Sequence, residues 1–214
     1  MKRKLENVLF EKHCFLGPLL IMLISGLPWW IAYWPGTLQY DSCGQLLQYL
    51  GVGRMTAHHP LPVTMAMGVL LDVGRALFQS DNVGLFLYTG LQFGAQCFVL
   101  AYCFHVFRCM AAPMWIRWVS LIYYTVFPLV PNWGISYGKD TGYYISIILF
   151  TIMLIEMFRC GQDKISVDQK VLWILSLLGL VIFRNDGRYV VAISIVLLLI
   201  LRRKYWTLFL TGGL

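Results

Sequence analysis

Apolar residues come in long unbroken runs along this chain, and polar residues gather in the short stretches between them. The runs cover residues 15–34, 61–79, 83–107, 114–130, 142–158, 171–183 and 189–201. A helix that crosses a bilayer needs roughly 20 mostly apolar residues. The first five runs approach or exceed that length; the last two are short and must each borrow residues from the polar connection between them. Lys2, Arg3, Lys4 and Lys12 precede the first run, and no small-residue cleavage site follows it. This start predicts an uncleaved anchor and not a signal peptide.

Composition agrees with the pattern. The 214 residues are 59% hydrophobic and only 13% charged, against about 45–50% and about 25% in soluble domains. Too few polar side chains remain to cover a water-facing surface. The expected fold is an all-α polytopic membrane protein forming a single transmembrane domain over residues 1–214. Continuous runs exclude a β-barrel, whose strands alternate. The net charge of +7 does not point to nucleic acid, because the basic residues sit at the ends of apolar runs. Six cysteines (Cys14, Cys43, Cys97, Cys103, Cys109 and Cys160) form no CxxC motif and have no histidine at metal-ligand spacing. They read as small packing residues.

Charge decides the topology. If all seven runs cross, with the N-terminus inside, the lysines and arginines divide 8 inside and 9 outside. Residues 61–79 are the suspect run, since they begin with Pro60 and Pro62 and carry Asp72 and Arg75. If that run lies at the outer face without crossing, the division becomes 12 inside and 5 outside. The inner set then includes Arg108, Arg117, Arg159, Lys164, Lys170, Arg202, Arg203 and Lys204. Excess Lys and Arg marks cytoplasmic loops, so the sequence predicts about six transmembrane helices plus outer juxtamembrane helices over about 35–82. The expected location is a bacterial cytoplasmic membrane with the N-terminus cytoplasmic. The connections on the inner side read as plain anchoring loops.

This arrangement collects unusual chemistry on one face. Asp41-Ser42 opens an amphipathic helix carrying Leu46, Leu47 and Leu50. Asp41 is either its cap or a carboxylate held above the bilayer as a general base; the two roles are compatible. Arg54 and the pair His58-His59 follow. Adjacent histidines are a poor geometry for one metal ion, and a phosphate, a sugar or interfacial water suits them better. Lys139-Asp140 opens a later run. Asp140 is favoured by the helix dipole, whereas Lys139 opposes it and calls for a nearby anion. Arg184 and Arg188 flank a turn by composition, either snorkelling to lipid phosphates or forming a phosphate clamp. Trp29, Trp30, Tyr33, Trp34, Tyr40 and Trp133 share the face as belt residues, with some available to stack on a sugar ring or isoprenoid chain.

An outer loop with Asp41 after the first span, His58-His59-Pro60 opening a juxtamembrane helix, Lys139-Asp140 starting a span and Arg184-Asn185-Asp186-Gly187 between two more together resemble the GT-C superfamily of membrane glycosyltransferases, in particular a bacterial branch of it. The similarity runs over about residues 15–204 and corresponds to the N-terminal membrane module of that fold. The resemblance implies a sugar donor carried on polyprenyl phosphate, with chemistry at the outer leaflet. Asp41 would be the catalytic carboxylate and Asp140 the second acid. Charge and position add Lys139 and Arg184 as stabilisers of the leaving phosphate. Superfamily members continue into further spans, so the chain is expected to be shorter than its full-length relatives, and the acceptor is not specified. The implied partners are the polyprenyl-linked sugar and membrane lipids; no cofactor is called for and no divalent metal is indicated.

The competing class is a non-catalytic carrier-binding, flippase or transporter subunit, and a blander one is a structural fragment whose outer charges only anchor it. A transporter places charges at mid-membrane. Here the clearest mid-run polar residues are the uncharged Gln92 and Gln96, which favours chemistry at the interface.

Overall fold

The computed structural model describes residues 2–56, 58–160 and 165–201. Lys164, Arg202, Arg203 and Lys204 of the inner set lie outside the described residues, as does the end of the chain. In order, the elements are α1 (Lys2–Glu6), continued by a π-helical stretch (Asn7–Lys12), α2 (Leu16–Ala32), β1 (Thr37–Leu38), α3 (Tyr40–Tyr49), α4 (Leu61–Phe78) and α5 (Asp81–Cys109). They continue with α6 (Met114–Val126), α7 (Leu129–Gly134), β2 (Ser136–Tyr137), α8 (Lys139–Cys160), α9 (Val167–Phe183) and α10 (Gly187–Leu201). The protein is all-α apart from the two-residue strands.

Every apolar run is helical. The helices α4, α5 and α8 are long and apolar enough to cross a membrane; counting the N-terminal helix and α2, bent by 100°, as one span makes four. The run at 114–130 is broken between α6 and α7. Pro128 disfavours helical backbone at the residue before it, and Phe127 is extended. At α9 the start is sealed by Ser166 and Gln169, each side chain bonding to the other's backbone N–H, as a capping box does.

The long helix α5 is the axis of the bundle. It lies antiparallel to α2, with Phe15 against Phe98 at 5.2 Å near one end and Trp30 Nε1 donating to Thr89 Oγ1 at 3.3 Å near the other. On another side it folds back on α4 so closely that a side chain on Gly74 would stand 2.6 Å from Gly84 Cα. A third side packs on α8, which pairs with α9 through Phe150 and Trp173, stacked at 5.1 Å. Three apolar cores result, one around Phe10, Phe93, Phe104 and Leu121, one around Val99, Met153, Trp173 and Leu180, and one around Met67, Leu71, Leu85 and Tyr137.

The end of the bundle holding α1 is more than a set of anchoring loops. Glu11 meets Arg117 at 2.7 Å and Arg108 at 3.4 Å. The Arg117 side chain is only 5% exposed and also donates to the carbonyls of Phe10 and Ala112, each at 3.1 Å. A buried guanidinium is tolerated only with such partners, so these charges bind the N-terminal segment to the start of α6.

At the other end the chain leaving α2 must pass between α5 and the approach to β2. Gly36 makes the turn with φ +129°, where a side chain would stand 2.6 Å from Thr89 Cγ2 and 2.9 Å from the Ile135 carbonyl oxygen. Glycine alone suits that backbone and that gap. Gly94 on α5, by contrast, faces open space. Gly36→Ala is therefore expected to cost roughly 1–3 kcal/mol while Gly94→Ala is neutral or slightly stabilising, as measured by unfolding of the purified protein in detergent.

Candidate functional site

The site is assembled by a very small sheet. The strands β1 and β2 pair in parallel, Thr37 opposite Ser136 and Leu38 opposite Tyr137, with the Thr37 N–H bonded to the Ile135 carbonyl at 3.2 Å. Each strand is followed two residues later by a helix, α3 at Tyr40 and α8 at Lys139. Two helix starts therefore stand side by side, and their first charged residues meet. Lys139 Nζ donates to Asp41 Oδ2 at 2.7 Å and to His59 Nδ1 at 2.8 Å. His59 arrives from the loop just before α4. The Lys139 side chain is 11% exposed, and that of Asp41 is 48% exposed.

This settles what Asp41 is not. Gln39 occupies the N-cap of α3, and no side chain makes a capping bond there; the Asp41 carboxylate turns to Lys139 instead. It also supplies the anion that a lysine at a helix N-terminus calls for. The hydrogen bond from Lys139, aided by its positive charge, holds the Asp41 carboxyl below its ordinary range against the opposing effect of desolvation. Burial lowers the His59 imidazole, and the neighbouring ammonium lowers it further. An ammonium has only donors to offer, so His59 Nδ1 accepts and the ring proton resides on Nε2.

The remaining expected residues divide. Asp140 accepts an ion pair from Arg184 at 3.5 Å. Arg184 also approaches Asp186 at 3.8 Å and lies over the Tyr143 ring at 5.4 Å. Arg188 turns to the adjacent Tyr189, bonding its hydroxyl at 3.3 Å. The two arginines thus do not converge as a clamp, because Arg184 is drawn to the acids at the start of α8 and in its own turn. His58 is exposed and packs edge-on against His59 at 4.8 Å. Arg54 is exposed and makes no ion pair among the described residues. Among those residues no group of three or more His, Cys, Asp or Glu is placed to hold a metal ion.

Several residues that build the site carry no charge and gave little sign of it in the sequence. Ser42 Oγ donates to the Tyr137 carbonyl, and Gln39 Nε2 donates to Ser136 Oγ at 2.7 Å, so α3 is tied to β2 twice. Gln45 Nε2 donates to Thr64 Oγ1 at 3.0 Å and joins α3 to α4. Gln92 Nε2 donates to the carbonyls of Ser136 at 2.6 Å and Gly134 at 3.2 Å, and Gln96 Nε2 donates to that of Val130 at 2.7 Å. The two glutamines in an otherwise apolar run were the available signal; their part is to hold the extended segment that carries β2.

The chain belongs to the family of unknown function DUF6020, which matches residues 51–214. That stretch includes His59, Lys139, Asp140 and Arg184, while Asp41 precedes it. No curated protein and no solved structure matches the chain.

The lowered proton affinity of His59 has a consequence for pH. A base whose folded pKa lies below its unfolded value of about 6.5 binds fewer protons when folded, so stability falls as pH drops through that unfolded value. Thermal midpoints measured from pH 7.5 to 5.5 are expected to fall in the wild type and to fall less in His59→Asn, whose side-chain oxygen can still accept from Lys139. Parallel pH profiles for the two proteins would contradict the assignment.

Proposed function

We propose that this protein is a membrane glycosyltransferase-like enzyme that takes a sugar from a polyprenyl-phosphate donor at the outer face of a bacterial cytoplasmic membrane. The observation that carries the reading is the Asp41–Lys139–His59 arrangement: a half-exposed carboxylate bonded at 2.7 Å to a largely buried ammonium at the start of α8. Charges at the edge of an apolar bundle are costly unless paired or used, and this set is both.

The chemistry proceeds as an exchange of partners. In the resting site Lys139 and Asp41 neutralise one another. A donor phosphate competes for the ammonium, and once Lys139 turns to it the carboxylate regains basicity. The acceptor hydroxyl gives its proton to Asp41 as its oxygen bonds to the anomeric carbon, while the bond from that carbon to the phosphate oxygen breaks. The phosphate leaves with the electron pair, stabilised by Lys139. His59 Nδ1, the second acceptor of the ammonium at 2.8 Å, keeps Lys139 at the centre while it exchanges the carboxylate for the phosphate. Asp140 and Arg184 brace the start of α8 beside this centre.

The proposed topology has six crossings: α2, α5, the broken α6–α7 segment, α8, α9 and α10. The N-terminus is then cytoplasmic, and α4 lies with α3 at the outer face. The charge asymmetry of the connections supports this choice, as does a cluster in the second half of α4. There Arg75 pairs with Asp81 at 2.6 Å and Asp72 at 3.7 Å, Tyr49 bonds Asp72 at 2.5 Å, and all three charged side chains are 40% exposed or more. Such charges belong among headgroups and water and not in hydrocarbon.

The ion pair also favours a second reading, a non-catalytic carrier-binding or flippase subunit, because a carboxylate already bonded to an ammonium can serve purely as its counter-ion. Donor consumption distinguishes the two. Asp41→Asn is expected to lower turnover by about 10²–10⁴-fold while lipid-phosphate binding persists. Full turnover in that variant overturns the base, and binding without turnover in the wild type selects the second reading. Single cysteines placed at positions 81 and 110 of a cysteine-free variant report the topology: the first should react with an impermeant reagent from outside and the second only from within.

A further inference from the structure

Near the end of the bundle that holds α1, three segments enclose a cavity of about 430 Å³. Phe15, just before α2, and Phe98, on α5, meet edge to face at 5.2 Å and both line it. Tyr102 and His105 continue the same side of α5, with their ring centroids 5.4 Å apart. His105 is held in that place because a thiol approaches each of its ring nitrogens, Cys14 at 3.9 Å from Nδ1 and Cys109 at 3.6 Å from Nε2. Four aromatic rings therefore line one cavity. The beginning of α9 adds Asp168 and Leu172.

Asp168 gives the cavity its sign. It is exposed and forms no ion pair among the described residues. The helix dipole favours an acid in the first turn of α9, but it does not account for a carboxylate bordering four aromatic rings. Ring faces attract cations, more strongly where water is excluded. A carboxylate beside such faces suits an organic ammonium ion, whereas an anion or a neutral hydrocarbon chain gains nothing from it. The cavity is also open to apolar surface on one side. It shares Phe98 and Leu172 with a larger cavity of about 570 Å³, which runs on among mostly aliphatic residues toward the middle of α5. Asp168 itself stands three residues before the apolar run at 171–183. The fitting occupant therefore carries an ammonium at the edge of the apolar zone and hydrocarbon beyond it.

We propose that this cavity binds the ammonium headgroup of a membrane phospholipid. The ammonium lies among the rings of Phe15, Phe98 and Tyr102, with Asp168 as its counter-ion. The site stands at the opposite end of the bundle from the Asp41–Lys139 centre and does not rest on the reading of that centre. It also has a structural consequence. The start of α9 reaches the rest of the fold chiefly through α8, so a headgroup held between Asp168 and the α5 rings joins α9 directly to α5 and to the start of α2.

The test uses the full chain in detergent, with native mass spectrometry reading the binding of phosphatidylethanolamine and of phosphatidylglycerol with identical acyl chains. Because the tails match, any difference belongs to the headgroup. The wild type should bind phosphatidylethanolamine at least about fivefold more tightly. Asp168→Asn should remove most of that difference and Asp168→Glu should keep it. Phe98→Leu, which stays apolar but loses the ring face, should reduce it. Equal affinities in the wild type, or a preference that survives Asp168→Asn, overturn the proposal. A preference abolished by Lys139→Ala also overturns it, since the headgroup would then sit at the other end of the bundle. Ethanolamine alone should not displace the lipid at equal concentration; displacement overturns the lipid as the occupant. A second measurement follows the joining of α9 to α5: phosphatidylethanolamine should raise the thermal midpoint of the wild type above that with phosphatidylglycerol, and should not do so in Asp168→Asn. Equal midpoints with the two lipids in the wild type overturn the proposal.

Discussion

Extended backbone cannot lie within an apolar bundle unless its carbonyls and amides find partners, and this structure is organised around meeting that demand. Over nine residues of α5, three polar side chains face the segment that leads to α8 and a fourth faces the turn after α2. Tyr88 donates to the Gly138 carbonyl at 3.3 Å, Thr89 to that of Pro35 at 3.2 Å, Gln92 to that of Ser136 at 2.6 Å and Gln96 to that of Val130 at 2.7 Å. This ladder holds α7 in place and lets residues 135–138 leave helical geometry deep in the fold. With β2 held there, β1 has an edge to pair with, and the turn after α2 is fixed by Gly36 against Thr89.

The electrostatics of the site follow from that backbone arrangement. Two helix starts held side by side create a concentration of positive partial charge, to which Lys139 adds a full one. One carboxylate and one neutral imidazole answer it. Because Asp41 is half-exposed and Lys139 is not, the pair is open on its acidic side, where a substrate can arrive. Asp140 and Arg184 form a neighbouring pair at 3.5 Å that joins the α9–α10 turn to the same end of α8. Charge at this end of the bundle is largely cancelled within the protein, so an incoming anion competes with a carboxylate for its cation.

Much of the fold was legible because the hydropathy pattern is coarse. All seven apolar runs are helical, and the starts near Asp41 and at Lys139 could be read from residues that favour or oppose a helix dipole. What escaped reading was long-range. Asp41 and Lys139 are 98 positions apart, and nothing local announces that two-residue strands unite them. Gln92 and Gln96 were visible as polar exceptions, yet polarity alone does not tell a transport path from a carbonyl ladder. The break at Phe127–Pro128 was not read, because residues 114–130 count as one apolar run by hydropathy although Pro128 stands within it, and its purpose depends on α5. Arg184 and Arg188 looked like a clamp because their spacing is short; the structure separates them because each has a nearer partner.

The central claim is that the β1–β2 junction couples the starts of α3 and α8 through the bond between Asp41 and Lys139. A double-mutant cycle on unfolding in detergent, with Asp41→Asn, Lys139→Met and the combined variant, measures it directly. The account predicts a coupling energy of about 1 kcal/mol, near the upper end for pairs with one exposed partner, with the double variant less destabilised than the sum of the two single ones. Additive effects, within about 0.3 kcal/mol, would contradict it.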